Sequence, residues 1–328
     1  MEQILRLGRR GASYRPFCVD RAVSHRGYSG PLQRAVTDFG ADESFGSAAG
    51  KMREHYRIDV PVGAVRRHTL VHGKRIAALS DKPVAGRAEQ LVTQMDGSMI
   101  PMMEPGSGSD ARKGKQLYWR EARLCLARGV ERQQAFYGAT LGSSEVAGWV
   151  WQRVAQMAGW TAQSRVHGVG DGAPWIVEKF TDYFGGQGSY LIDFWHVSEY
   201  LSAAGEQIAP QGKAAGWRHR QQGRLLENKV SVVLRSMRDH CEPDGVKEFP
   251  VRAAWTYISE RTHHMDYAGA RKRTLPIGSG EVEGGHRHVV QERLKLSGCW
   301  WKETNASSML NLRTARANNL WTQYWTKN

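Results

Sequence analysis

Apolar positions change their spacing along this chain, and each change marks an element. From Pro31 a helical period puts Leu32, Ala35, Val36 and Phe39 on one face, with proline in the first turn where its missing N–H costs nothing. Ser44 is a cap for a second helix through Phe45, Ala48, Ala49, Met52 and Tyr56. After Arg57-Ile58-Asp59-Val60, Pro61 opens a third helix that sets Val62, Val65 and Thr69 on one face and Arg66, Arg67 and His68 elsewhere. Small alanines, a tight connection and a basic last helix predict a helix-turn-helix within residues 1–80; a plain three-helix bundle with a solvated basic face is the alternative.

Over residues 88–195 the period falls to two. Leu91, Thr93 and Met95 alternate with Val92, Gln94 and Asp96, which predicts a first strand turning at Gly97-Ser98. Met99–Met103 reads as the return strand, with Pro101 at an edge or bulge. A Gly/Ser-rich loop follows, then a third strand through Ala122, Leu124 and Leu126. Ser143 or Ser144 caps a helix with Val146, Trp149, Val150, Val154 and Met157 on one face. Arg165–Val169 is a fourth strand leading to Asp171; Ile176, Phe180, Tyr183 and Phe184 form a helix closed by Gly185-Gly186; Ser189–Asp193 is a fifth strand. Hairpin strands followed by helical crossovers predict an α/β unit, a mixed five-stranded sheet flanked by helices. Residues 196–275 read as helical throughout, and residues 276–328 as a Pro276-Ile277-Gly278-Ser279-Gly280 turn, a helix to Leu294, a loop with Trp300 and Trp301, and a last helix.

Composition narrows the partner. The 328 residues carry a formal net charge of +14, and a surplus that large points to a polyanion, most often nucleic acid. Arg218, Arg220 and Arg224 add a basic run to the helical stretch, either a solvated face or a phosphate contact. No apolar run approaches the roughly 20 residues of a membrane span, and Met1–Arg15 lacks the apolar segment of a secretion signal, so no membrane partner is expected. Cys18, Cys125, Cys241 and Cys299 lie far apart without a Cys-x-x-Cys, which supports neither a zinc ribbon nor a disulfide framework.

Three acids stand out by position: Asp96 at the end of the first strand, Asp171 at the end of the fourth, and Glu283 in the first turn of the helix opened by Gly278-Ser279-Gly280. Carboxylates gathered from strand ends and a helix can bind two divalent ions, which activate an attacking oxygen and stabilise a leaving one in phosphodiester chemistry. Oxygen ligands suit Mg²⁺ or Mn²⁺. Each acid also has a plain reading as a turn or a helix-dipole residue. Asp193 is the rival for the second position, and Glu281 for the third.

The segments Gln94-Met95-Asp96-Gly97-Ser98, Gly170-Asp171-Gly172-Ala173-Pro174-Trp175-Ile176, Asp193-Phe194-Trp195-His196-Val197, Ile277-Gly278-Ser279-Gly280-Glu281-Val282-Glu283-Gly284 and Gln291-Glu292-Arg293-Leu294-Lys295 occur in that order, followed by Trp300-Trp301. Together they resemble bacterial insertion-sequence transposases of the Kra type, DDE enzymes with an RNase H-like core, distantly similar to Mutator-like transposases. The resemblance implies four parts: a DNA-binding region over 1–80, the first part of the core over 88–195, an all-helical insertion over 196–275 and the C-terminal core helices over 276–328. It implies Mg²⁺-dependent cleavage and transfer of DNA strands, with Asp96, Asp171 and Glu283 as catalytic acids holding two Mg²⁺ or Mn²⁺ ions and Asp193 and His196 as support beside them. Partners would be the element's terminal inverted repeats and target DNA, bound by a homo-oligomer in the bacterial cytoplasm, at the nucleoid. Arg66 and Arg67 are the candidate DNA readers, with Arg218, Arg220, Arg224, Arg293 and Lys295 as phosphate contacts; Trp300 and Trp301 are core or a stacking platform. The alternatives are a metal-dependent RNase H-like nuclease and a DNA-binding repressor whose chemistry is lost.

Overall fold

Serine caps start the N-terminal helices in the computed structural model, which describes residues 5–6, 8, 13–20, 27–79, 86–106 and 114–327. Two short strands, β1 (Leu5–Arg6) and β2 (Ser13–Tyr14), pair antiparallel ahead of helix α1 (Pro16–Asp20). Ser29 Oγ accepts the Leu32 N–H at the start of α2 (Gly30–Asp42), and Ser44 Oγ accepts the Ser47 N–H at the start of α3 (Phe45–Tyr56). Helix α4 (Val62–Ile76) follows Pro61. The apolar period closes these helices on a small core of Val36, Ala48, Met52, Val60, Ala64 and Val65. Gly40 lets α2 approach α4: a Cβ there would stand 2.1 Å from Thr69 Oγ1.

The chain divides into two compact units, one of Met1–Ser80, Pro101–Trp119 and Val289–Asn328, the other of Asp81–Ile100 and Arg120–His288. The second carries the sheet chemistry. Strands β3 (Gln90–Glu104), β4 (Gln116–Gly129), β5 (Phe136–Thr140), β6 (Arg165–Gly170) and β7 (Gly188–Ile192) form a five-stranded sheet in the order β5-β4-β3-β6-β7. The β4–β5 pair is antiparallel, whereas β3–β6 and β6–β7 are parallel. Counted from β3, the order 3-2-1-4-5 in a mixed sheet flanked by helices is the expected RNase H-like α/β class. Helix α5 (Ser144–Met157) and helix α6 (Pro174–Phe184) contribute the aromatic core: Trp151 is wholly buried, with Phe180 and Phe184 rings 5.9 and 5.5 Å away, and its indole N–H donates to Thr93 Oγ1.

Two strand expectations are corrected. No turn forms at Gly97-Ser98, because β3 runs through both as one 15-residue strand. Gly97 serves close packing instead: a Cβ there would stand 2.1 Å from Glu121 Oε1 on β4. The fifth strand is supplied by β5, which the pattern did not mark.

Helices α7 (Phe194–Ile208), α8 (Ala214–Leu226), α9 (Val230–Arg238), α10 (Pro250–Ser259) and α11 (Tyr267–Lys272) follow the sheet. Helix α12 (Gly280–Gly285) continues into a π-helical turn (His286–Gln291) and α13 (Glu292–Leu294). Helices α14 (Glu303–Ala317) and α15 (Trp321–Lys327) pack with the N-terminal helices in the first unit. There Gly73 admits α14 onto α4, since a Cβ would stand 2.3 Å from the Ser308 carbonyl oxygen, and His72 Nδ1 lies 2.7 Å from Tyr324 Oη. Arg313 and Arg316 both pair with Asp42.

Candidate active site

Strand register brings three aspartates to one edge. Gln94 on β3 pairs with Val169 on β6, and Gly170 on β6 pairs with Ile192 on β7. Continuing the first register by two positions sets Asp96 beside Asp171, and continuing the second by one sets Asp171 beside Asp193. In a parallel sheet these are the C-terminal ends of strands, where ligands bind because helix N-termini and loops converge there. Only β3 continues beyond, so Asp96 lies within a strand rather than at its end.

The three carboxylates do different work. Asp193 is 2% exposed and caps α7: Oδ1 accepts the N–H groups of Trp195 (2.6 Å) and His196 (3.1 Å), and Oδ2 accepts from the Ser279 N–H (2.5 Å) and hydroxyl. Its acceptor capacity is taken up by holding the fold together. Asp171 is partly exposed; Oδ1 accepts the Ala173 N–H at 2.9 Å, and its backbone carbonyl accepts the Tyr257 hydroxyl of α10. Asp96 Oδ1 accepts the Gly97 N–H at 2.7 Å, and Oδ2 lies 3.6 Å from His286 Nε2.

A stitched segment carries the fourth acid. The Phe194 N–H donates to the Ile277 carbonyl (2.9 Å), and His167 Nε2 on β6 lies 2.8 Å from the Pro276 carbonyl. Gln94 is wholly buried in β3; its Oε1 accepts the Val282 N–H (2.9 Å) and its Nε2 donates to the Gly278 carbonyl (3.4 Å). Gly278 is needed because a Cβ would stand 2.8 Å from Trp195 Cδ1. These bonds fasten the start of α12 to the strand that carries Asp96. Glu281 is taken by Arg128 in a two-point ion pair, both N–H···O distances 2.7 Å, whereas Glu283 is exposed.

Electrostatics couples the acids. Burial raises the Asp96 carboxyl to about 6, with the charges of Asp171 and Glu121 pushing the same way against the Gly97 N–H and His196. Glu283 is also raised, by desolvation first and then by Asp193, Asp96 and Glu199. The His196 ring is edge-on to Tyr200 and Tyr257, and Nδ1 is 3.6 Å from Glu199. Carboxylate oxygens repelling one another are the donor chemistry of a hard divalent cation, which would relieve the strain on Asp96. Among the described residues no group of three or more His, Cys, Asp or Glu stands arranged to hold a metal ion.

The basic candidates separate by burial. Arg66 and Arg67 are exposed on α4. Arg220 is exposed on α8, while Arg218 and Arg224 are partly buried and donate to Ser202 and Gln221. Lys295 is exposed. Arg293 is corrected: it is 1% exposed, stacked between the rings of Phe45 and Trp301, so it belongs to no exposed basic face. Sequence reading missed Gln94, Glu121, Tyr257 and His286. Only His286 carried a local signal, three residues after Glu283 and on the same helix face.

The strand order defines an RNase H-like α/β sheet, with Asp171 and Asp193 just past the ends of β6 and β7 and Asp96 beside them within β3. No protein-family model matches the chain. It is similar to the UPF0236 protein in the vanSb 3′ region of Streptococcus gallolyticus, 26% identical over 156 residues, covering 47% of this chain and 34% of that protein. The chain thus spans about a third of that relative's length. The solved Drosophila P element transposase strand transfer complex superposes with a TM-score of 0.33 and 9% identity, over 95% of this chain and 84% of that one. At that score the strand order, not the superposition, defines the fold. No helix among the described residues is long and apolar enough to cross a membrane.

Proposed function

We propose that this chain is a DDE transposase of the Kra type, cleaving and joining DNA strands at the ends of an insertion sequence. One observation supports the reading: register sets Asp96 within β3 beside Asp171 just past β6, Asp96 is coupled to Asp171 and to Glu283, and Glu283 sits on a helix tied to β3. Asp96, Asp171 and Glu283 would hold the divalent ions; Asp193 and Glu281 are occupied by structural partners. Bound Mg²⁺ or Mn²⁺ would supply charge neutralisation at the phosphate and a lowered pKa for an attacking oxygen. The chain's own part is positioning. Asp193 and Gln94 hold the helix start, and Tyr257 fixes the Asp171 backbone. His196 adds positive character toward Asp96. A helix-turn-helix formed by α3 and α4 would read the element end through Arg66 and Arg67, and the active form would be a homo-oligomer on DNA.

The test is joining of pre-cut element ends to target DNA in Mg²⁺ or Mn²⁺. Asp96→Asn, Asp171→Asn and Glu283→Gln should each lower joining by at least about 10³-fold with DNA binding retained, because charge stabilisation in the transition state is lost. Glu281→Gln should keep most activity. Full joining in EDTA, or by Asp96→Asn, would overturn the mechanism; hydrolysis without joining would favour the nuclease reading.

A further inference from the structure

A cavity of about 680 Å³ opens within the unit that joins the N-terminal helices to residues 289–328. Its aromatic lining is Phe45, Trp300 and Trp301. Trp301 and Phe45 meet edge to face at 6.4 Å, and Trp300 is 38% exposed with Trp119 edge-on at 6.3 Å. Its charged lining is Arg66, Lys115, Lys302 and Arg293, and among the described residues no acid lines it. Arg293 is informative because it is buried. Its guanidinium carbon is 4.7 Å from the Phe45 ring and 4.9 Å from the Trp301 ring, and its Nε donates to the Gly40 carbonyl at 3.1 Å. Its Nη2 is fully enclosed and has no hydrogen-bond acceptor among the described residues. The buried guanidinium adds positive charge behind the aromatic wall, while Arg66, Lys115 and Lys302 are the cations placed to meet an anion in the cavity. Desolvation lowers this guanidinium to about 10, which agrees with a site short of negative charge.

We infer that this cavity binds one unstacked nucleotide of a DNA strand, its base against Trp300 and its phosphate among the cations. Neither half of the lining suffices alone. A neutral aromatic guest would not need four cations, and an inorganic anion would not need three aromatic rings. A nucleotide carries both a π face and a phosphate, and base–aromatic stacking tolerates any base. The inference rests on the DNA reading above. A free mononucleotide shares the chemistry, so the test separates the two sources.

The full chain is titrated with a blunt 30-base-pair duplex, the same duplex bearing a three-nucleotide single-stranded overhang with 2-aminopurine, and dAMP alone. The overhang duplex should bind about tenfold tighter than the blunt one, with 2-aminopurine fluorescence quenched by stacking. Trp300→Ala should remove that advantage and the quenching while leaving blunt-duplex affinity unchanged, and Lys302→Ala should weaken the overhang duplex several-fold more than the blunt one. Equal affinity of the wild-type chain for both duplexes, or an equal loss for both in Trp300→Ala, overturns the pocket while the DNA reading stands. Binding of neither duplex defeats the DNA reading. In that case saturable quenching of tryptophan by dAMP, lost in Trp300→Ala, retains a nucleotide pocket, and its absence overturns that too.

Discussion

At the scale of single residues, the neighbouring aspartates Asp96, Asp171 and Asp193 are set apart by what donates to them. Asp193 accepts four hydrogen bonds in a buried position. Asp193→Ala should therefore cost about 2–4 kcal/mol in urea unfolding, from a lost helix cap and an orphaned Ser279 N–H. Asp171→Ala should cost under about 1 kcal/mol yet abolish joining. Equal stabilities for the two variants would show that Asp193 is not the structural joint. Asp96 carries the opposite sign. Its carboxyl is raised from 3.8 to about 6, so between those values the folded state keeps a proton that the unfolded state has lost. Stability then falls as pH rises through that window, and the penalty is complete above about 6. A two-unit shift corresponds to about 3 kcal/mol, which solvent screening of a side chain 37% exposed reduces to about 1 kcal/mol. In EDTA, Asp96→Asn should raise the melting temperature by a few degrees at pH 7.5 and leave it unchanged at pH 3.5. A stabilisation equal at both pH values would refute the coupling.

At the scale of elements, α12 is tied to the sheet by Gln94 on β3 and Arg128 on β4, and at its start by Asp193. Gln94→Ala removes the acceptor of the Val282 N–H and leaves that donor buried, so it should cost about 2 kcal/mol and loosen the turn that carries Glu283. Amide exchange at Val282 should speed up, and joining should fall about 10–100-fold while Mg²⁺ dependence remains. Unchanged exchange would show that Ser279 and His167 suffice. The same elements show what periodicity carries. The helices α2 to α6 and the strands β6 and β7 were legible because each buries one coherent face or run, although on α5 the expected Val146 and Trp149 are exposed and Trp151 is the buried ring. The Gly97-Ser98 break was misread because Gly-Ser is good turn chemistry locally, and the requirement it meets, room for Glu121 of β4, is not local. Strand β5 was missed because Gly138 interrupts its apolar run; that glycine is needed where a Cβ would strike Val150 and Val154 of α5. Asp96, Asp171 and Glu283 are singled out by position and by the resemblance, which also favours Glu283 over Glu281; the turn expected beside Asp96 does not form, and the pairing of Glu281 with Arg128, 153 residues away, is beyond any spacing rule.

At the scale of the whole molecule, the charge of +14 is the property that, under the proposed function, would act on a DNA polyanion before any side chain reads it. That net figure already subtracts the acids, so what the internal partners decide is which cations remain placed to meet phosphate. Arg128 is committed to Glu281, Arg313 and Arg316 to Asp42, and Arg218 and Arg224 donate within their own helices' surroundings. Exposed Arg66, Arg67 and Arg220 are better placed to displace counterions. Each phosphate neutralised adds about 0.9 to the slope of log affinity against log salt. Arg66→Ala/Arg67→Ala should therefore flatten the slope by about 1.8 and weaken binding most at low salt, whereas Arg218→Ala/Arg224→Ala should flatten it by well under 1. The measurement is a salt titration of duplex binding with the intact chain from 50 to 300 mM, conditions in which about 1.8 units of slope is resolvable. An unchanged slope in the α4 double variant, with a large change in the α8 pair, would move the DNA-facing surface from the three-helix region to the helices that follow the sheet.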